Sequence, residues 1–316
     1  MIGSALKVVS LLPSTTEIAC ILGLQSQLVG RSHECDFPPG VEALPVCTSA
    51  KIDSSLSSLE IDQQVKTILE QGISIYGVHA DLLRQLQPDI VLTQAQCEVC
   101  AVSLKDVEAA MCGWLGHQAK IVSCSPMRLQ DIWEDIRAVA AACGVADTGD
   151  QVVATLQERV CTISQQAALL PNKPKIACIE WLEPLMSAGN WVPELVTMAG
   201  GVNLFGAAGE HSPWFSWEEL QAADPDMLVI LPCGFGLERT RLEMRALTEH
   251  PVWHQLRAVQ NGEVYITDGN QYFNRPGPRL VESLEILAEL FHPNRFNFGH
   301  AGEAWERFPA VSSLIL

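Results

Sequence analysis

The chain reads as an α/β protein built of two Rossmann-like lobes. Three observations point there: one phrase occurs twice, strand and helix signals alternate in two separate runs, and a purely helical stretch divides the runs. Gln87-Pro88-Asp89-Ile90-Val91-Leu92-Thr93 is echoed by Asp224-Pro225-Asp226-Met227-Leu228-Val229-Ile230. Each phrase follows a helix-like stretch and opens an apolar run of the kind a buried parallel strand needs. A length of 316 residues accommodates two cores, and a cleft between two lobes is a natural place for a ligand.

The first run carries strand signals at 7–12, 28–31, 73–76, 89–93 and 120–123, with helical stretches at 14–22, 59–71, 80–86 and 104–114. Such alternation implies a mostly parallel sheet. From Ser125 the period changes to that of a helix. Leu129, Ile132, Trp133, Ile136, Val139 and Ala140 share one face, Pro126 stands near the start, and Gly144 is placed as the stop. This predicts a connecting backbone helix over 126–146, between a lobe at 1–125 and a lobe at 147–293. A second amphipathic helix starts near Asp150 and carries Val153, Leu156, Val160, Ile163 and Ala167. The second run has strands at 176–180, 227–231 and 263–267 and a last helix over 278–291, while the tail at 294–316 shows no assignable element.

Composition narrows the function. Hydrophobic residues make up 48% and charged residues 18%, which excludes a disordered chain. A net charge of −17 argues against nucleic acid or an anionic membrane as partner. No apolar run approaches the roughly 20 residues a membrane span requires. The first apolar stretch is interrupted by Ser10, Pro13, Ser14, Thr15, Thr16 and Glu17, unlike a secretory signal. Eleven scattered cysteines fit free thiols in a reducing compartment. The expected location is cytoplasmic, or periplasmic if a leader has been removed.

Ligands of open α/β sheets bind beyond the carboxyl ends of the strands. Beyond the first strand lie Ser14, Thr15 and Thr16, expected as hydroxyl caps of a helix. The second strand leads to His33 and Cys35, a short apolar run leads to Cys47, the 89–93 strand leads to Gln94, Cys97 and Cys100, and the last leads to Cys124. His33, Cys35, Cys97 and Cys100 could form a tetrahedral, thiolate-rich metal site. Cys97 and Cys100 alone could form a redox dithiol. The third reading is that the thiols are structural, since free cysteine packs as a small hydrophobe. A zinc deaminase is excluded, because Glu34 directly follows His33 and Gln96 precedes Cys97. The second lobe supplies Trp181, Trp191, Trp214, Trp217, Tyr272 and Phe273 in or after strand ends, in a chain with eight tryptophans against three tyrosines. Such loops suit a flat, largely apolar ligand, with Arg275 placed to hold a carboxylate, amide or phosphate on it. No catalytic triad, paired catalytic carboxylates or glycine-rich phosphate loop is evident, so a binding protein is expected rather than an enzyme.

A resemblance sharpens this. Val9-Ser10-Leu11-Leu12-Pro13-Ser14-Thr15-Thr16-Glu17, Leu28-Val29-Gly30-Arg31-Ser32 and Asp36-Phe37-Pro38-Pro39 resemble the opening of cobalamin-binding proteins of ABC importers. Ala199-Gly200-Gly201-Val202-Asn203-Leu204-Phe205, Trp214-Phe215-Ser216 and Phe273-Asn274-Arg275-Pro276-Gly277-Pro278-Arg279 continue the likeness, which covers roughly residues 6–292. These belong to the helical-backbone superfamily that also holds siderophore and metal receptors. The resemblance implies a class III periplasmic-binding-protein fold, two lobes joined by a single long helix, with a corrinoid such as cobalamin held edge-on in the cleft. By position, Trp214, Phe273 and Arg275 match ligand contacts of the second lobe. The loops around His33 and Cys35, and from Gln94 to Cys97, match those of the first. Asp81 and Glu218 fall at the family's acidic docking positions for an ABC importer permease. Where the importers' receptors place aromatics in the first-lobe loops, this chain has His33, Cys35 and Gln94. The expectation is therefore a leaderless branch that carries or senses a corrinoid without catalysis of its own, with His33 as a cobalt ligand. Two alternatives stand beside it: a receptor for another metal chelate, siderophore or haem, and an intracellular thiol- or corrinoid-modifying enzyme using Cys97 and Cys100.

Overall fold

The structure, a computed structural model, describes residues 6–71, 74–94, 104–111 and 119–309. The chain divides into two compact α/β units. The first holds residues 1–56, 60–126 and 130–155, and the second holds 57–59, 127–129 and 156–316.

In the first unit the strands Leu28–Arg31, Val8–Ser10, Ile90–Gln94 and Lys120–Cys124 lie side by side in that order, all parallel. Val8, Val9, Ile90, Val91 and Leu92 are buried, as continuous apolar strands of a covered parallel sheet must be. Gly30 allows the close approach that packs its strand: a Cβ there would lie 2.7 Å from Cys47 Sγ and 2.9 Å from Leu86 Cδ1. A separate antiparallel pair, Thr48–Ala50 with Tyr76–Val78, flanks this sheet. The second unit orders Trp305–Arg307, Val264–Thr267, Met227–Ile230, Lys175–Trp181 and Met186–Ser187, with Val202–Asn203 also paired to Lys175–Trp181. Its three central strands are parallel.

The repeated phrase folds the same way in both units. The helices Ala80–Leu86 and Trp217–Ala223 end on a left-handed residue, Gln87 at φ 47° and Asp224 at φ 45°. A proline follows, and then an aspartate that pins the neighbouring strand. Asp89 accepts the Lys7 amide on Oδ2 at 2.8 Å and donates its own amide to the Lys7 carbonyl at 2.8 Å. Asp226 does the same with Lys175, at 2.8 and 2.9 Å.

Helix periodicity is borne out residue by residue. Leu129, Ile132, Trp133, Ile136, Val139 and Ala140 are all buried in the helix Leu129–Ala142, and Gly144 closes it at φ +77°. Val153, Leu156, Val160, Ile163 and Ala167 are buried in Ala146–Ala168. The units divide at 126–130 and again inside this second helix, between Thr155 and Leu156. Periodicity marks a buried face without saying which of two successive helices leaves the unit. The strand expected at 73–76 is observed as Tyr76–Val78, with 72–73 outside the described residues. The tail, which showed no element in sequence, contributes Trp305–Arg307, an antiparallel edge on Val264–Thr267.

Candidate functional site

In the first unit the parallel strands share one carboxyl edge, and the hydroxyls of the opening motif meet there. Ser10 and Thr15 hydroxyls lie 2.7 Å apart, Thr16 donates to Ser10 at 2.8 Å, and Thr16 Oγ1 lies 3.0 Å from Cys35 Sγ, all buried. These hydroxyls do not cap the helix Pro13–Ile21, whose N-cap, Leu12, has no side-chain hydrogen bond. They tie the strand end to the helix and to the 32–36 loop. Cys35, at 1% exposure, is part of that tie. Gln94 ends its strand buried, opposite Cys124 in the ladder.

His33, in contrast, is partly exposed at the same edge. Its Nδ1 lies 2.7 Å from Thr48 Oγ1, and its amide donates to that oxygen at 3.0 Å. Tyr76 flanks the ring at 5.7 Å between centroids. Burial lowers its pKa from the ordinary 6.5, helped by the nearby Arg31 guanidinium. Sequence reasoning missed Thr48 and Tyr76. They sit on two three-residue strands too short to leave a period, and only tertiary pairing brings Thr48 to a residue fifteen positions earlier.

Of the first unit's described thiols, Cys35, Cys47 and Cys124 are buried and Cys20 and Cys143 partly so. Burial raises the pKa of Cys20 and of Cys47 to about 11 each. Cys124 is raised too, first by burial and then by the nearby Asp135 charge, and Asp135 itself is pushed up to about 7, chiefly by burial. Thiols held protonated in this way pack as apolar groups. Cys97 and Cys100 lie outside the described residues, so the dithiol and the four-ligand site that used them have no structural account here. Among the described residues no three histidine, cysteine or acidic side chains converge to hold a metal ion.

The second unit's edge is aromatic. Trp181 ends the strand Lys175–Trp181 and packs on Phe235 at 5.4 Å, while the Arg239 guanidinium covers the same ring at 5.0 Å. Trp214 is 54% exposed beside a single bridge to Met186, on a loop steadied by the stacking of Phe205 on Phe215 at 4.6 Å. Phe273 differs: it is fully enclosed, and its carbonyl accepts the Trp191 indole N–H at 2.8 Å. Arg275 is 5% exposed and donates to Asn270 at 3.1 Å, in a turn where Asn274 donates to the Leu231 and Gly269 carbonyls. Phe273 and Arg275 thus build the loop that follows Val264–Thr267, and Trp181 and Trp214 line the edge. Asp81 and Glu218 are exposed in the first turns of the two matching helices, each six residues before the left-handed cap.

Both parallel-sheet units carry ligand-type groups at their carboxyl edges. The family model for periplasmic binding proteins matches residues 8–271, and the chain belongs to that family. The vitamin B12-binding protein of Photorhabdus laumondii is 24% identical over 297 residues, covering 92% of this chain and 89% of that one. An uncharacterised ABC transporter substrate-binding lipoprotein of Bacillus subtilis, YvrC, is 22% identical over 298 residues, with 92% and 81% covered. Among solved structures, the periplasmic haem-binding protein RhuT of Roseiflexus superposes with a TM-score of 0.69 at 22% identity, covering 92% of this chain and 99% of that one. The vitamin B12-binding protein BtuF of Vibrio cholerae superposes at 0.62 with 20% identity, covering 90% and 96%. These likenesses establish a class III periplasmic-binding-protein fold. Among the described residues no helix is long and apolar enough to cross a membrane.

Proposed function

We infer that the protein binds a corrinoid, cobalamin being the type case, and carries it without chemistry of its own. The observation that carries this reading is the near full-length match to a vitamin B12-binding protein, which covers 92% of this chain. The contacts assigned are His33 on the first unit and Trp181 and Trp214 on the second. A broad ring system with amide fringes needs flat apolar surfaces and a few hydrogen-bonding groups, which these supply. Gln94, Cys35, Phe273 and Arg275 act from beneath, fixing the loops. Delivery to an ABC permease is part of the reading, with Asp81 and Glu218 as its two acidic contacts. Their equivalence within the repeated unit supports a two-point docking on a partner with paired basic residues.

Haem is the second reading, favoured by the fold likeness to RhuT and to a haem-binding protein of Pseudomonas aeruginosa, which superposes at 0.66. Calorimetric titration of the full chain with cobalamin, ferric haem and a ferric siderophore separates the readings. Saturable heat with cobalamin alone is expected. Saturation by haem or siderophore with none by cobalamin would overturn the corrinoid reading.

A further inference from the structure

The hydrogen bonds around His33 fix which of its ring nitrogens carries the proton. Thr48 Oγ1 accepts the His33 amide at 3.0 Å and lies 2.7 Å from Nδ1. A hydroxyl has one proton to give. The Thr48 proton is directed to Ser32 Oγ at 3.1 Å, and Ser32 Oγ also accepts the Glu34 amide at 3.3 Å. Toward the ring, Thr48 is therefore the acceptor, and the imidazole proton sits on Nδ1. Nε2 keeps its lone pair. Among the described residues Nε2 has no hydrogen-bond partner. Glu34 Oε1 lies 4.0 Å away, beyond hydrogen-bond reach, and takes the Tyr76 hydroxyl instead at 3.4 Å. Histidines that ligate metals have this arrangement, one nitrogen donating to a fixed acceptor and the other bare.

We propose that His33 Nε2 is a preset axial ligand for the metal at the centre of a tetrapyrrole, and that the protein selects a cargo whose axial position holds exchangeable water. The inference rests on the corrinoid reading and specifies the form of ligand taken. Nε2 donates its electron pair to the metal, the metal–nitrogen bond forms, and water leaves with its own pair. No oxidation state changes, and the Nδ1 proton stays on its bond to Thr48. Thr48 is a positioning residue: it holds the ring plane and the tautomer.

The test uses the full chain, visible absorption and isotope-edited NMR. Hydroxocobalamin mixed with the wild type should show its cobalt-dependent bands shifted to those of an imidazole complex. Cyanocobalamin, whose axial site is blocked by cyanide, should show no shift. His33→Ala should abolish the shift, Thr48→Val should weaken hydroxocobalamin binding on the order of tenfold, and Thr48→Ser should restore it. Circular dichroism checks that each variant is folded. The apo protein, which needs no ligand and no variant, should show a pyridine-type Nε2 and a pyrrole-type Nδ1 for His33. Hydroxocobalamin bound with unshifted bands, or the opposite tautomer, overturns this inference and leaves the corrinoid reading standing. If no corrinoid binds, the corrinoid reading fails by itself. A His33-dependent band shift with ferric haem then supports the axial ligand with haem as its source, and the lack of one overturns it.

Discussion

Among the described residues, the carboxyl edge of the first unit carries hydroxyls, thiols and an imidazole, whereas that of the second carries indoles and a braced arginine turn. Yet both stand on the same device: a left-handed residue, a proline, and an aspartate that pins the adjoining strand at 2.8 Å. The scaffold is repeated and the decoration is not. Damage to the scaffold should therefore hurt each unit alike, and damage to the decoration should separate stability from binding.

The largest expected effect lies within the second edge. Phe273→Ala empties a fully enclosed site and should destabilise the protein by about 3–5 kcal/mol in denaturant titration. Trp214→Ala removes a ring that is 54% exposed, so stability should change by under about 0.5 kcal/mol while corrinoid affinity falls. Equal stability losses at the two positions would erase the distinction between loop-builder and contact.

Next comes packing in the first unit. Gly30→Ala drives a Cβ to 2.7 Å from Cys47 Sγ, and the overpacking should cost about 1–3 kcal/mol. Cys47→Ala in the same chain should recover part of that loss, since it removes the nearest atom.

The shared device predicts matched losses. Asp89→Ala and Asp226→Ala should each reduce stability by about 1 kcal/mol. Asp226 should cost somewhat more, because it also pairs with Arg257 at 2.9 Å. A loss at one site only would break the equivalence of the two phrases.

The two units also differ in pH dependence. Asp135 in the first unit is raised from 3.8 to about 7, chiefly by burial. The folded state binds its proton more tightly, so this contribution is full below about pH 4 and is lost as pH rises through 7. His300 in the second unit is also raised, first by its hydrogen bond to Glu285 at 2.9 Å. That contribution is full below its ordinary 6.5 and is lost as pH rises through the higher folded value. Thermal unfolding of Asp135→Asn should flatten the profile between pH 4 and 7, and that of His300→Gln should flatten it above 6.5. The reverse assignment of windows would contradict the electrostatic account.

Much of the scaffold was legible in sequence. Val91, Leu92, Leu228 and Val229 announce buried parallel strands because both faces are covered and no polar residue is tolerated. Ile132, Ile136 and Val139 announce a helix face by period alone. The candidate site was less legible. His33 was visible as an unusual residue after a strand, but its partner Thr48 comes from a three-residue strand with no pattern. Phe273 and Trp214 look alike in sequence, both aromatics in strand-end loops. One turns inward to close a loop and the other faces solvent, a difference that tertiary packing alone decides. The edge strand Trp305–Arg307 was invisible because a short, mixed segment becomes a strand only when a neighbour offers its ladder.

The central claim is that this fold carries a corrinoid. The protein should be incubated with excess hydroxocobalamin, desalted, and its cobalt measured against protein. The account predicts close to one cobalt per chain with red colour retained, and a colourless, cobalt-free eluate would contradict it.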